Sequence, residues 1–207
     1  MKNLKILFAV SIFLSSCVTI NTIQLPYYQS EIAYIESSAA FFENGNIKKC
    51  RLADEVTLNG YHCVSWMRFF ENGQIRQFET AIDIKRDSIL IPAKSILFFH
   101  EQNHNEISMI YLSQNTIIQG VNCKGGEKIT TSFYPNMKLR NCFLVDDQVI
   151  QGFPCKSSLM HYVSFYDSGK LKSLTLSRDF SSGKMNYRRG TYIELNEDGS
   201  IKSVKSK

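Results

Sequence analysis

The sequence predicts an all-β protein, an array of antiparallel β-hairpin repeats forming an extended, twisted or curled sheet. Three observations carry that expectation. Two aromatics, a turn pair, an aliphatic and a cation recur along the chain. Fourteen Phe and ten Tyr against four Pro favour strands over helices. No segment shows a helical period.

The copies run in order. Phe41-Phe42-Glu43-Asn44-Gly45-Asn46-Ile47-Lys48 and Phe69-Phe70-Glu71-Asn72-Gly73-Gln74-Ile75-Arg76 are nearly identical. Phe98-Phe99 opens a third copy with a longer, Gly-free turn. Phe133-Tyr134-Pro135-Asn136-Met137-Lys138-Leu139 and Phe165-Tyr166-Asp167-Ser168-Gly169-Lys170-Leu171-Lys172 follow, and Tyr192–Lys202 is a weak last copy. From first aromatic to first aromatic the steps are 28, 29, 35 and 32 residues, a degenerate array with insertions. Asn44-Gly45 and Asn72-Gly73 are strong signals for two-residue type I′ turns, which need positive φ at both positions. Ser168-Gly169 is weaker. Asn136-Met137 departs, because Met at positive φ is strained, and a different turn is expected there.

A second half-motif aligns without gaps as Leu52–Cys63, Leu112–Cys123 and Leu144–Cys155, each read as strand, polar turn, strand. Its glycine is expected to mark a bulge or strand end. With two-residue turns, Phe42 faces Ile47 and Phe41 faces Lys48. Both faces then carry apolar residues, so the sheet is expected to curl or to be covered by its own loops.

The F-[FY]-x-N-G-x-[IL]-[KR] core over residues 34–207 resembles the bacterial variant of the MORN repeat. That resemblance implies consecutive β-hairpins in an extended antiparallel sheet. Members of that family are labelled antitoxin or immunity components, or are exported proteins, so the resemblance lends a fold more than a function. An immunity-type protein neutralising a toxin is the alternative it implies.

The front of the chain reads as an address. Lys2 and Lys5 precede a nine-residue, almost wholly apolar run, Ile6 to Leu14, too short to span a membrane and suited to a secretion signal. Leu14-Ser15-Ser16-Cys17 resembles the bacterial lipobox, which implies a signal peptide over 1–16, a diacylated Cys17 and a lipidated tether over 17–33. The alternative is an ordinary secretory signal that ends near a cysteine. Two or three acyl chains hold a protein stably on a membrane. Val18, where an Asp would retain the protein at the inner membrane, favours the outer membrane.

The net charge of +5 loses Lys2 and Lys5 on processing, leaving 22 − 19 = +3. Without a basic stripe, that argues against nucleic acid. Cys50 and Cys63 are 13 apart, as are Cys142 and Cys155, in matching repeat positions. In an exported protein this pattern is expected to give two within-unit disulfides with Cys123 free. No Cys-x-x-Cys or clustered His points to a metal, and no cofactor is expected. His62, His100, His104 and His161 read as surface or turn residues. Asp146-Asp147 reads as turn chemistry. No Gly-x-Ser-x-Gly or phosphate loop is present. The expected role is therefore a non-enzymatic binding or scaffolding module, with a protein or an envelope polymer as partner. Tyr134, Tyr166, Lys138, Lys170 and Lys172 are its candidate binding residues. The tyrosines fit equally well as residues that pack the sheet.

Overall fold

The computed structural model describes residues 18–205 except 88, 102, 104 and 105. The expected signal and Cys17, the expected lipidation residue, lie outside the described residues, as does His104. The regular structure of the described residues is strand apart from one 3₁₀ turn at Glu36–Ser38. Twelve strands lie side by side in chain order, from Ala40–Phe41 to Ile201–Lys205, as an antiparallel meander, and Val56–Leu58 joins at Tyr61–Phe69. The sheet is twisted and does not close on itself.

Two kinds of hairpin alternate. Sheet hairpins build the meander: Ala40–Phe41 with Ile47–Arg51, the end of Tyr61–Phe69 with Ile75–Thr80, and Ile96–Phe99 with Ile107–Tyr111. Thr130–Phe133 with Leu139–Cys142, Val163–Phe165 with Leu171–Thr175, and Tyr192–Leu195 with Ile201–Lys205 complete the set. Between them come short cover hairpins, Val56–Leu58 with the start of Tyr61–Phe69, Ile84–Arg86 with Ile89–Ile91, and Thr116–Ile118 with Val121–Cys123. Gln148–Ile150 with Phe153–Cys155 and Phe180–Ser182 with Met185–Tyr187 continue the series. Their buried residues, among them Leu58, Ile91, Ile118 and Ile150, share one core with the sheet.

The two turn types are exchanged relative to expectation. In the sheet hairpins Gly45 N–H donates to the Phe42 carbonyl and Phe42 N–H to the Asn46 carbonyl, while only Gly45 has positive φ, at 84°. This is a type I turn closed by a glycine bulge, with three residues in the loop. The Asn44 carboxamide oxygen accepts the Asn46 N–H at 2.9 Å and holds that turn. Met137 does not change the geometry. It takes the glycine position at φ 58°, donates to the Tyr134 carbonyl at 2.9 Å, and buries its side chain. Type I′ turns occur instead in the cover hairpins, at Asn59-Gly60 (φ 50° and 79°), Gln119-Gly120 (50° and 82°) and Gln151-Gly152 (48° and 88°). Those glycines close turns and do not mark bulges.

The longer loop shifts the register by one residue, which turns every side chain to the other face. Phe41 faces Ile47, Phe69 faces Ile75 and Phe133 faces Leu139, each beside an identical register shift. In the third copy the core aromatic is Phe99, paired with Ile107, while Phe98 packs outward on Tyr111 at 4.8 Å. One face is therefore the core, with Ile47, Ile75, Ile107, Leu139 and Leu171 in one row. Cys50, Phe78, Ile110, Cys142 and Leu174 form the next, and all are buried. Ile47, Cys50 and Leu52 are thus buried on this face, while Phe42 lies on the other under the Lys48 ammonium.

Each junction between units obeys one rule. The residue three after the aliphatic pairs with the residue two before the next core aromatic or its leucine equivalent. Cys50 pairs with Met67, Phe78 with Leu97, Ile110 with Thr131, Cys142 with Val163 and Leu174 with Ile193.

Within the stretch expected to be a tether, residues 20–33 are paired strand and turn. Ile20–Leu25 pairs with Ser30–Ile35 as another cover hairpin, with Leu25, Ile32 and Tyr34 in the core. Tyr34 bridges Leu52 as Cys123 bridges Leu144 and Cys155 bridges Leu176. Ala53 N–H donates to the Ala33 carbonyl just as Val145 N–H donates to Asn122 and Ser177 N–H to Pro154.

Candidate functional site

The outer face of the sheet changes character along the array. The cross-strand row that begins with Lys49, Arg68, Gln77, Phe98 and Met109 is bulky, then continues with Ser132, Asn141, Ser164 and Ser173. Small side chains on a pleated surface leave a trough between the taller rows on either side. A groove of about 450 Å³ lies there, with Asn141, Ser164 and Ser173 on its floor. The Asn141 amide donates to the Ser132 hydroxyl at 3.0 Å, which fixes part of that floor.

One wall comes from the sheet-hairpin motif. Arg140 lies over the Tyr134 ring, Cζ 5.6 Å from its centroid, and the Lys172 ammonium lies over Tyr166 at 5.3 Å. Lys48 over Phe42 at 5.4 Å and Arg76 over Phe70 at 5.8 Å repeat the arrangement upstream. The tyrosine hydroxyls are committed to the next unit. Tyr134 donates to the Phe165 carbonyl at 2.9 Å and Tyr166 to the Leu195 carbonyl at 2.7 Å. These two residues therefore both tie the sheet together and hold cations at the groove. The far wall has Tyr192, Glu194 and Lys202, with Glu194 accepting from the Ser203 hydroxyl at 3.0 Å. The connection Lys156–Tyr162 supplies Met160, His161 and Tyr162 to the rim.

Of the residues expected to bind, the groove gathers Tyr134, Tyr166 and Lys172. Lys138 and Lys170 sit in the turns instead. Lys138 N–H closes on the Asn136 carboxamide at 3.0 Å, and Lys170 lies near Asp198, adding to the Ser200 hydrogen bonds that hold that carboxyl below its ordinary value. Arg140, Tyr192, Glu194 and Lys202 were missed. Arg140 was visible as the final cation of the repeat motif; Tyr192 and Lys202 fall in the weak last copy.

The expected disulfides are corrected. Cys50, Cys63, Cys142 and Cys155 are buried free thiols, as is Cys123. Their regular spacing is the periodicity of the core, since Phe78, Ile110 and Leu174 occupy the site of Cys50 and Cys142. The nearest thiol partner of Cys142 is Cys123, the cysteine expected to stand apart, and that thiol together with burial pushes Cys142 up. Burial alone pushes Cys50 up to about 12, and burial is the main cause for Cys63 and Cys155, also about 12. Such thiols are not nucleophiles at neutral pH.

The other chemistry-bearing residues act locally. His62 Nδ1 meets a Glu55 carboxylate oxygen at 2.7 Å on an exposed cover hairpin. Asp147 accepts the Ser157 N–H at 2.7 Å, and Asp83 and Asp179 make the same bond with Ala93 and Arg189. Among the described residues no group of three or more His, Cys, Asp or Glu is placed to hold a metal ion. No family model matches the chain, and no curated protein matches it.

Proposed function

We propose that the protein is an exported, lipid-anchored component of the cell envelope that works as a non-enzymatic binding module, with the outer-face groove as its ligand site. The ligand is an extended chain bearing carboxylates or phosphates, as in an anionic envelope polymer. The observation that supports this most is the set of pre-positioned cations. Arg140 and Lys172 are held over tyrosine rings, so less rotamer freedom is lost when an anion arrives. Lys202 adds to that sign, and Glu194 opposes it. The open groove with its polar floor of Asn141, Ser164 and Ser173 suits a polymer better than a small molecule.

The test is retention of the full-length protein, in detergent, on dextran sulfate against neutral dextran. An exposed charge is worth about 0.2–1 kcal/mol, so Arg140→Ala, Lys172→Ala and Lys202→Ala should each weaken retention about 1.4- to fivefold. The triple variant should lose most of it, with the thermal melt unchanged. Lys138→Ala and Lys170→Ala, in the turns, should matter less. Equal retention of wild type and triple variant removes the groove from the reading. The anchor is tested separately, since a palmitate analogue should label wild type and not Cys17→Ala.

A further inference from the structure

The two ends of the array break the rule that holds at every internal junction. Val204 occupies the site where Cys50, Phe78 and Leu174 are fully buried, yet it is 41% exposed. Phe41 occupies the site where Phe69 is 1% exposed, yet it is 48% exposed. Ala40–Phe41 and Ile201–Lys205 are each paired along one side only. The described array also opens with a cover hairpin, 20–35, and closes with a sheet hairpin, 192–205, which is the order in which one unit follows another.

Each end thus lacks what the other end carries. We propose that copies of this chain associate head to tail, the Ile201–Lys205 edge of one copy adding antiparallel to the Ala40–Phe41 edge of the next. The internal junction rule fixes the register: Ser203 lies opposite Ala40 of the next copy and Val204 opposite Ala39. The cover hairpin of that next copy then closes over Val204. The contact is short but not unusually so, because the junction between Leu139–Cys142 and Val163–Phe165 has only two paired residues. Lys202 and Lys205 guard the donating edge against arbitrary strands, and Glu36 and Glu43 flank the receiving edge with the opposite charge. Such a contact is heterologous, and a sheet that does not close on itself extends it into an open row of copies.

The experiment uses full-length chains. One carries Ala40→Cys and one epitope tag, the other Ser203→Cys and a second tag, and both are co-expressed and treated with oxidised glutathione. A disulfide dimer bearing both tags is expected, with little dimer when either variant is expressed alone. Adding Val204→Asp to the Ser203→Cys chain should abolish the mixed dimer. Ser38→Cys with Lys205→Cys, one row along, provides a second pair on a more exposed side chain, and thermal melts check that each variant folds. The proposal is overturned by absence of mixed dimer with both pairs. It is equally overturned by like-with-like dimers as abundant as mixed ones, or by a mixed dimer that survives Val204→Asp.

Discussion

The two faces of the sheet are built from adjacent residues of the same strands and obey opposite rules. Phe69 is sealed in the core against Ile75, while Phe70, its neighbour, faces outward under the Arg76 guanidinium. On the core face one site accepts Cys50, Phe78, Ile110, Cys142 or Leu174, so what is specified is burial and not one side chain. On the outer face the aromatic–cation pair recurs in four of the six sheet hairpins while the floor shifts from bulky to small. The difference teaches that the repeat is specified by burial on one face and is free to vary the other.

The largest break in that contrast comes from charging the core face. Ile110→Asp places a carboxylate without a partner in a fully buried row and should cost more than about 4 kcal/mol, leaving little folded protein by circular dichroism. A charge introduced at Met109, one residue away on the outer face, should leave the fold intact.

Alkaline pH attacks the same face through its thiols. Folded Cys50, Cys63 and Cys155 keep their protons up to about pH 12, whereas unfolded thiols release theirs near the ordinary 9.0. A raised folded pKa gives stability that is complete below pH 9 and lost as pH rises towards 12. Each such thiol should steepen the fall by about 1.4 kcal/mol per pH unit. Urea midpoints across this range should therefore be flat below pH 9 and fall above it. A Cys50→Ala, Cys63→Ala, Cys155→Ala protein should fall less steeply.

A smaller effect is expected from loosening the cover. Gly60→Ala meets no neighbour within 4 Å, so its cost is the φ of 79° alone, about 1–2 kcal/mol. A urea titration should record that loss while retention on dextran sulfate stays unchanged, because the cover hairpins lie on the other side of the sheet from the groove.

Much of this architecture is legible in the residues. The aromatic–turn–aliphatic motif places the sheet hairpins. The second half-motif marks where three cover hairpins fall, but their turns lie at the glycines, expected to be bulges or strand ends, and not at Asp146-Asp147. The register is not, because Asn-Gly fits both a type I′ turn and a type I turn with a glycine bulge. The choice rests on whether Asn44 takes positive φ or, as it does, uses its side chain to hold the Asn46 N–H. The hairpin at 20–35 carries no Asn-Gly signal at all and is recognised by Leu25 and Ile32 reaching the core. At the site, Tyr134, Tyr166 and Lys172 are legible from the motif. Glu194 and the Ser164–Ser173 floor are not, because they come together only when the strands are set side by side in the right register.

That register is the centre of the account, and adjacent phenylalanines test it most directly. Chemical denaturation of Phe69→Ala should show a loss of about 3–5 kcal/mol, because a fully buried ring leaves a cavity. Phe70→Ala should lose about 1 kcal/mol or less, the worth of a half-exposed ring beneath a cation. The same pair of measurements with the larger loss at Phe70 would put the core on the other face of the sheet and contradict the account.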